Sequence, residues 1–576
     1  MSTHARPLAD WLAAQSDDAL AVLFTRRGIS AQVSWHDFFD AAESLLEPAA
    51  IERFLPRLTR AEAQALLESS SSRADADSRA AGDDLLARTA LLRSDGTPYP
   101  EVADALATRQ LEPAAAEHPV APSTDIDAAH AAERAFTVVL ALADVLLTAA
   151  ETPLALLSTG ALSATERRRL AERSILDDTA DLDALISFAL DAGLLHASGR
   201  TLTLTARGDT WLRLPGIERW AALAESFRTH LAPALRTSSG GWIAPSLWAD
   251  AHPWDPNWPA VSAELEHRAA LLGLTTASGE PAWARPLRLT GTADVDALRT
   301  LLPVEVDRIF LQNDLTAIAP GPLVPAMDLR LRRLAHRESA TQASSYRFTA
   351  ESLTLAFAEG ETEESVLAFL DQISLTGVPQ PLRYLVAQSA QRHGLIRVAT
   401  DPDTGRTTVA SSDPHLIDTM GVDQSLRPLG LVREGDHLTT KVGRDTVFWA
   451  LTDARYPASA VDAEGNDTRA LRTRITETPP IDSPDADERF AELIARLRAA
   501  QGADADAAWL DRELENAVRR RAALIVEVGM PDGSTRELTL EVTGLGGGRL
   551  RGRDRAADVE RTLPVRSIRS TRPAED

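Results

Sequence analysis

Three helical stretches followed by two short alternating strands recur along this chain, and that order constrains the fold more than any other feature. The clearest case lies within residues 128–215. Ala132–Thr148 carries apolar residues at helical spacing, and a second helix runs from Ser163 through Thr165-Glu166-Arg167-Arg168-Arg169. A third runs from about Asp181 to Gly193, a glycine suited to a helix C-terminus. Leu194-Leu195-His196, Ser198-Gly199 and the alternating Thr201–Thr205 then form a hairpin, which is the winged-helix order. Glu351–Phe357, Glu364–Ile373 and Pro381–His393, followed by Leu395–Thr400 and a wing at Asp401–Thr407, repeat it. Residues 7–110 are mostly helical, with Leu8, Leu12, Leu20 and Leu23 near helical spacing and a short wing around Asp95-Gly96. Residues 216–300 repeat the theme loosely, with a helix near Trp258–Leu272 and strand-like segments flanking Ser278-Gly279. The expected fold is therefore mainly α with small β (α+β), built from tandem winged-helix-like units.

Breaks in composition divide the chain. Low complexity around Ser69–Ser72 reads as a flexible insertion, while Ala- and Pro-rich Glu112–Asp125 and Pro-rich Thr468–Asp487 read as linkers. They frame five segments: residues 1–111, 126–215, 216–300, 301–467 and 485–576. That number suits 576 residues at about 100–200 per domain. Trp242, Trp248, Trp254, Trp258 and Trp283 crowd the third segment. They read as caps on domain cores rather than as an aromatic surface for a partner.

Several chemistries are excluded. The chain has no cysteine, so disulfides, thiol nucleophiles, iron–sulfur clusters and cysteine-ligated zinc are absent. Its twelve histidines are scattered singly, and neither a metal site nor a cofactor is expected. Of 60 basic residues only Lys441 is lysine, a bias typical of GC-rich bacterial genomes. Lys441 follows Thr440 and precedes Val442, so the chain has no Gly-x-x-x-x-Gly-Lys-Ser/Thr loop to hold a nucleotide's phosphates. Gly-x-Ser-x-Gly and His-Glu-x-x-His are also missing, and no catalytic residue is assigned. No run approaches the ~18 apolar residues of a membrane span, and the N-terminus lacks a signal-peptide pattern. A cytoplasmic protein is expected, with nucleoid association following from any DNA binding. The net charge of −24 repels phosphates over the surface as a whole, so DNA contact must come from local basic faces.

A longer pattern starts at residue 303. Val306-Asp307-Arg308-Ile309-Phe310-Leu311-Gln312-Asn313-Asp314-Leu315-Thr316-Ala317-Ile318-Ala319-Pro320-Gly321-Pro322-Leu323 is followed by Tyr346-Arg347-Phe348-Thr349 and Val378-Pro379-Gln380-Pro381-Leu382-Arg383-Tyr384-Leu385, extending through Val447-Phe448-Trp449. These motifs resemble bacterial helicase-associated proteins whose core is similar to the N-terminal domain of XPB-type helicases. The resemblance implies a non-catalytic domain that mediates regulatory contacts. No motor is expected after residue 470, where neither a Walker A nor a DEAH-like box occurs. At the C-terminus, Leu524–Val528, the turn Pro531-Asp532-Gly533-Ser534, Glu537–Val542, Gly544–Gly548, Arg549–Arg553 and Thr562–Ile568 resemble the small Sm-like, β-barrel-like domain of WYL proteins. The Trp-Tyr-Leu signature itself is absent.

The candidate binding residues follow from charge. The third helix of the 128–215 unit carries Asp181, Asp183 and Asp191, which phosphates and acceptor-rich base edges disfavour, so that unit reads as a protein contact or scaffold. Pro381–His393 carries no acid and offers Arg383, Gln388, Gln391, Arg392 and His393, with Arg397 and Arg406 beyond it. Arg549, Arg551, Arg553 and Arg555 alternate along a strand and should share one face, a strip able to track a phosphate backbone. Gly544–Gly548 lacks the third glycine of a dinucleotide loop and reads as a hairpin turn. Arg519-Arg520-Arg521 should cap a helix C-terminus, and Arg330, Arg332, Arg333, His336 and Arg337 should form a solvated helix surface. The expected function is a non-catalytic helicase-associated protein of DNA repair or nucleic-acid metabolism. Its expected partners are DNA and a helicase or other DNA-processing protein. The alternatives are a pure protein-interaction scaffold and a WYL-type transcriptional regulator.

Overall fold

The computed structural model describes residues 5–70, 89–113, 119–173, 179–340, 343–462, 465, 468, 476–477, 486–501, 510, 512, 514–515, 517–519, 521, 523–530 and 534–574. The insertion beyond Ser70, most of Thr468–Asp487, Arg520 and the Pro531-Asp532-Gly533 turn lie outside those residues. The chain is about 51% helix and 19% strand, a mixed α+β fold with several small sheets. It forms two compact units: Met1–His118 with Ala244–Ala263 and Pro480–Asp576, and Pro119–Ile243 with Glu264–Pro479.

In the first unit, short N-terminal helices bury Leu8, Phe24, Phe38 and Phe54, and the helix Ala486–Ala499 adds Phe490, Leu493 and Leu497 to the same core. Polar contacts pin that helix: Arg496 donates to the carbonyls of Trp35 and Val33, at 3.0 and 2.8 Å. The C-terminal residues form a five-stranded antiparallel sheet in the order Val559–Pro564, Arg549–Asp554, Thr535–Gly546, Ala523–Gly529, Ile568–Pro573. Its two outer strands do not pair with each other, so it is an open sheet and not the barrel-like closure expected. Gly547 and Gly548, at φ +60° and +70°, make the tight turn before Arg549, a conformation that favours glycine.

In the second unit the helix Asp125–Glu151 starts at Thr124, whose hydroxyl accepts from the Asp127 N–H at 3.2 Å, and ends before Pro153. The helices Ala164–Arg173 and Thr179–Asp191 follow, then a small sheet ordered Leu154–Ala155, Thr201–Leu204, Leu195–Ser198. The strand-like segments expected beside Ser278-Gly279 are absent. Here the chain turns, and Glu280 instead exchanges backbone hydrogen bonds with the 121–123 segment. Trp242 and Trp283 are buried in this unit and Trp248 and Trp258 in the first, where Trp254 packs against Arg109, so these rings serve cores as expected.

Two further sheets complete this unit. Phe310–Leu311, Thr316–Ala319, Ser344–Arg347 and His336–Ala340 form one. Val432–Glu434, His437–Thr440, Thr407–Ser411, Ile396–Thr400 and Ala458–Ala460 form the other, whose final pair is parallel. Between them stand the helices Ala350–Ala358, Glu363–Ile373 and Gln380–Arg392. Thr349 and Thr362 open the first two with reciprocal bonds to Ser352 and Ser365. Leu353, Phe357, Leu370, Leu382 and Val386 are buried in their shared core, each worth about 1.5–3 kcal/mol on leaving water.

Candidate nucleic-acid interface

The helix Gln380–Arg392 begins after Pro379 and carries Pro381 in its first turn, where a missing N–H costs nothing. Leu382, Val386 and Ser389 face the core, which turns Arg383, Tyr384, Gln388, Gln391 and Arg392 to solvent. No carboxylate shares the helix.

The predicted residues separate on this frame. Gln388 and Arg392 line a cleft of about 1310 Å³, together with Arg333 and His336. Carboxylates and guanidinium groups line it in comparable number, and among the described residues Arg392 and Arg333 carry no ion pair. Gln391 is exposed but does not line the cleft. Arg383 sits at the other end of the helix, donating to the Val378 carbonyl at 3.2 Å and standing 3.8 Å from Asp371. His393 caps the helix and rests its ring 6.0 Å from that of Phe357, a packing role. Arg397 is exposed on Ile396–Thr400, and Arg406 in the wing is matched by Glu434 at 3.0 Å.

On the C-terminal sheet of the first unit, Arg549, Arg551 and Arg553 alternate with buried Leu550, Gly552 and Asp554 and share the outer face, whereas Arg555, expected on the same strand, lies in the turn beyond its end at Asp554. Their surroundings differ. Arg549 and Arg551 lie opposite Pro564, Thr562, Gly546 and Gly544, all uncharged, and have no ion-pair partner among the described residues. Arg553 lies opposite Glu560 and Glu541 and pairs with Asp558 at 2.6 Å, while Arg555 binds Glu541 at 2.9 Å. Only one end of the strip keeps its positive charge.

Of the residues expected to form a solvated surface on Pro325–Leu334 and the next strand, Arg333 and His336 are exposed, but Arg330, Arg332 and Arg337 are not free in solvent. Arg332 reaches Asp144 at 2.6 Å and Asp328 at 2.8 Å, and Arg337 also pairs with Asp144, which is 5% exposed. The Tyr346 hydroxyl donates to Asp328 at 2.7 Å. Arg330 pairs with Glu361 at 2.8 Å and covers the Phe369 ring. Burial pushes the Asp328 carboxyl up, but the Arg332 charge and the bonds from Arg332 and Tyr346 outweigh it and hold the acid below its ordinary range. Burial and Asp328 push the Tyr346 hydroxyl the other way. The sequence signal for this network is Asp144 itself, a lone acid among Ala141, Leu142, Val145 and Leu146 on an apolar helix. Tyr384 was likewise missed. Its signal is helical phase, since Leu382 and Val386 face inward and leave residue 384 outside.

Among the described residues no group of three or more His, Asp or Glu side chains could hold a metal ion, and no helix is long and apolar enough to cross a membrane. None of the curated proteins compared with the chain matches it. Residues 309–435, a span that contains the Gln380–Arg392 helix and its hairpin, match the family described as the helicase conserved C-terminal domain, a likeness that supports a helicase-associated domain there.

Proposed function

We propose that this protein is a non-catalytic helicase-associated protein that binds nucleic acid through the outer face of Gln380–Arg392. The carrying observation is a coincidence of place. The acid-free face with Gln388, Gln391 and Arg392 falls inside the span that matches a helicase-associated family. Arginine suits phosphates and glutamine suits base edges. The helix–helix–helix–hairpin order around it supports a winged-helix reading, and the long motifs from Val306 to Leu385 support an XPB-type N-terminal likeness. The missing phosphate-loop lysine supports a role without ATP turnover of its own. A helicase or another DNA-processing enzyme of repair or nucleic-acid metabolism is then the protein partner, met by the acidic remainder of the surface.

Fluorescence anisotropy of the full chain against duplex and forked DNA over a salt series tests this. Affinity should fall steeply with salt, and Arg392→Ala should lower the log–log slope by about 1. Absence of binding at low salt would sink the reading and leave a protein-interaction scaffold.

A further inference from the structure

The glycines of the C-terminal sheet divide by what holds them there. Gly547 and Gly548 stand at φ +60° and +70°, as their turn requires, and a Cβ on Gly552 would meet the Glu541 carbonyl at 2.8 Å. Gly544 and Gly546 are under neither constraint. Both lie in Thr535–Gly546 outside the left-handed region, and apart from their chain neighbours no described heavy atom lies within 4 Å of the place a Cβ would take. The register shifts between Val542 and Gly544, but a glycine serves a bulge through positive φ, which Gly544 lacks. A strand-interior glycine that the fold does not demand marks a backbone that another molecule approaches closely.

The surroundings of these two glycines are positive. Cross-strand partners share a face of a sheet. Gly544 pairs with Arg551 and Gly546 with Arg549, and the strand on the other side sets Thr562 and Pro564 opposite the same arginines. Both arginines are exposed, and residues 542–553 and 561–574 contain no acid. The Val565 N–H bonds the Gly548 carbonyl at 2.9 Å, which keeps the backbone at exposed Arg566 close to the turn. The acids of this face begin at Glu541 and Glu560, opposite Arg553.

We propose that this corner is a second nucleic-acid contact, where a sugar–phosphate backbone lies across Gly544 and Gly546 and is held by Arg549 and Arg551. The bare strand admits phosphate oxygens, and the two arginines, about 7 Å apart along their strand, each meet one phosphate. The six positions of the corner hold no large apolar side chain. Charge rather than apolar burial therefore supplies the attraction, which favours a phosphate backbone over a protein surface. The proposal rests on the nucleic-acid reading above and adds to the Gln380–Arg392 face a contact carried by the other unit.

The test is anisotropy of the full chain with labelled duplex DNA, oligodeoxythymidine and oligouridine over a salt series. The three probes distinguish paired from unpaired strands and DNA from RNA as the source of the backbone. Joint replacement Arg549→Ala, Arg551→Ala should weaken binding roughly tenfold and lower the log–log salt slope on the duplex by about 2, in the parent and again in Arg392→Ala. Gly546→Val should also weaken binding, yet leave thermal unfolding unchanged or raise it, because valine suits a strand and the space is open. Parent-like binding by the arginine variant, with Arg392→Ala still reducing it, would overturn this contact and keep the Gln380–Arg392 reading. Parent-like binding by Gly546→Val would overturn the close approach at the glycines. Failure of the parent protein to bind any of the three probes would remove both sites. Unchanged thermal unfolding of the arginine variant excludes misfolding as the cause.

Discussion

Replacing Asp144 by alanine should destabilise the second unit by about 3 kcal/mol, because it leaves buried Arg337 without a carboxylate and takes one of two from Arg332. Asp144 is 5% exposed, and Arg332 and Arg337, which both pair with it, are 15% and 10% exposed. Removing one member of a buried ion pair costs about 3–5 kcal/mol, mainly through the uncompensated charge left behind. Arg332 keeps Asp328 at 2.8 Å, whereas Arg337 has no second carboxylate among its described contacts, so the lower end of that range applies. With a urea dependence of about 3 kcal/mol per molar, the unfolding midpoint should fall by about 1 M. Buried Trp211, Trp220, Trp242 and Trp283 report the transition by fluorescence. The quadruple variant Asp144→Leu, Asp328→Asn, Arg332→Met, Arg337→Met should recover most of the loss, since a neutral replacement of the whole cluster strands no charge. A midpoint shift below about 0.3 M in Asp144→Ala would refute the claim that these charges depend on one another.

Other outcomes follow from the same contacts. Asp328 titrates below its ordinary range in the folded chain, so its stabilising contribution is present above the unfolded value near 4 and is lost as pH falls through the lower folded value. Urea unfolding at pH 7 and at about pH 3 should show that loss, and it should be smaller in Asp328→Asn. Thr362→Ala removes a reciprocal cap and should cost about 1 kcal/mol, read by thermal unfolding. Arg406→Ala should leave DNA affinity nearly unchanged, because Glu434 already balances that charge. Arg551→Ala should weaken any DNA contact of the C-terminal sheet more than Arg553→Ala does, since Asp558 neutralises only the latter.

Local signals carried most of the fold. The Glu364–Ile373 and Pro381–His393 helices were expected within a residue of where they form, and in the structure a capping threonine, Thr362, and Pro379 precede their first residues. Gly193 closes its helix at φ +66°, and alternation placed the three strand arginines on one face. What could not be read was partnership across distance. Arg332 and Arg337 have the composition of a solvated helix end, and only the fold brings Asp144 to them from a helix far back in the chain. The same holds for Ala486–Ala499, whose apolar face completes a core begun at Leu8. The site was legible as a helix without acids, but not in its divisions. Sequence alone could not show that His393 packs on Phe357, that Arg406 is matched by Glu434, or that Gln388 and Arg392 line a cleft from which Arg383 is absent.

The most direct test of the central claim is photocrosslinking of the full chain to a single strand carrying 4-thiothymidine, with the attached peptides identified by mass spectrometry. The account predicts attachment within 380–392, reduced by Arg392→Ala and by high salt. Attachment confined to other segments, or none under conditions where a known single-strand binder is labelled, would contradict it.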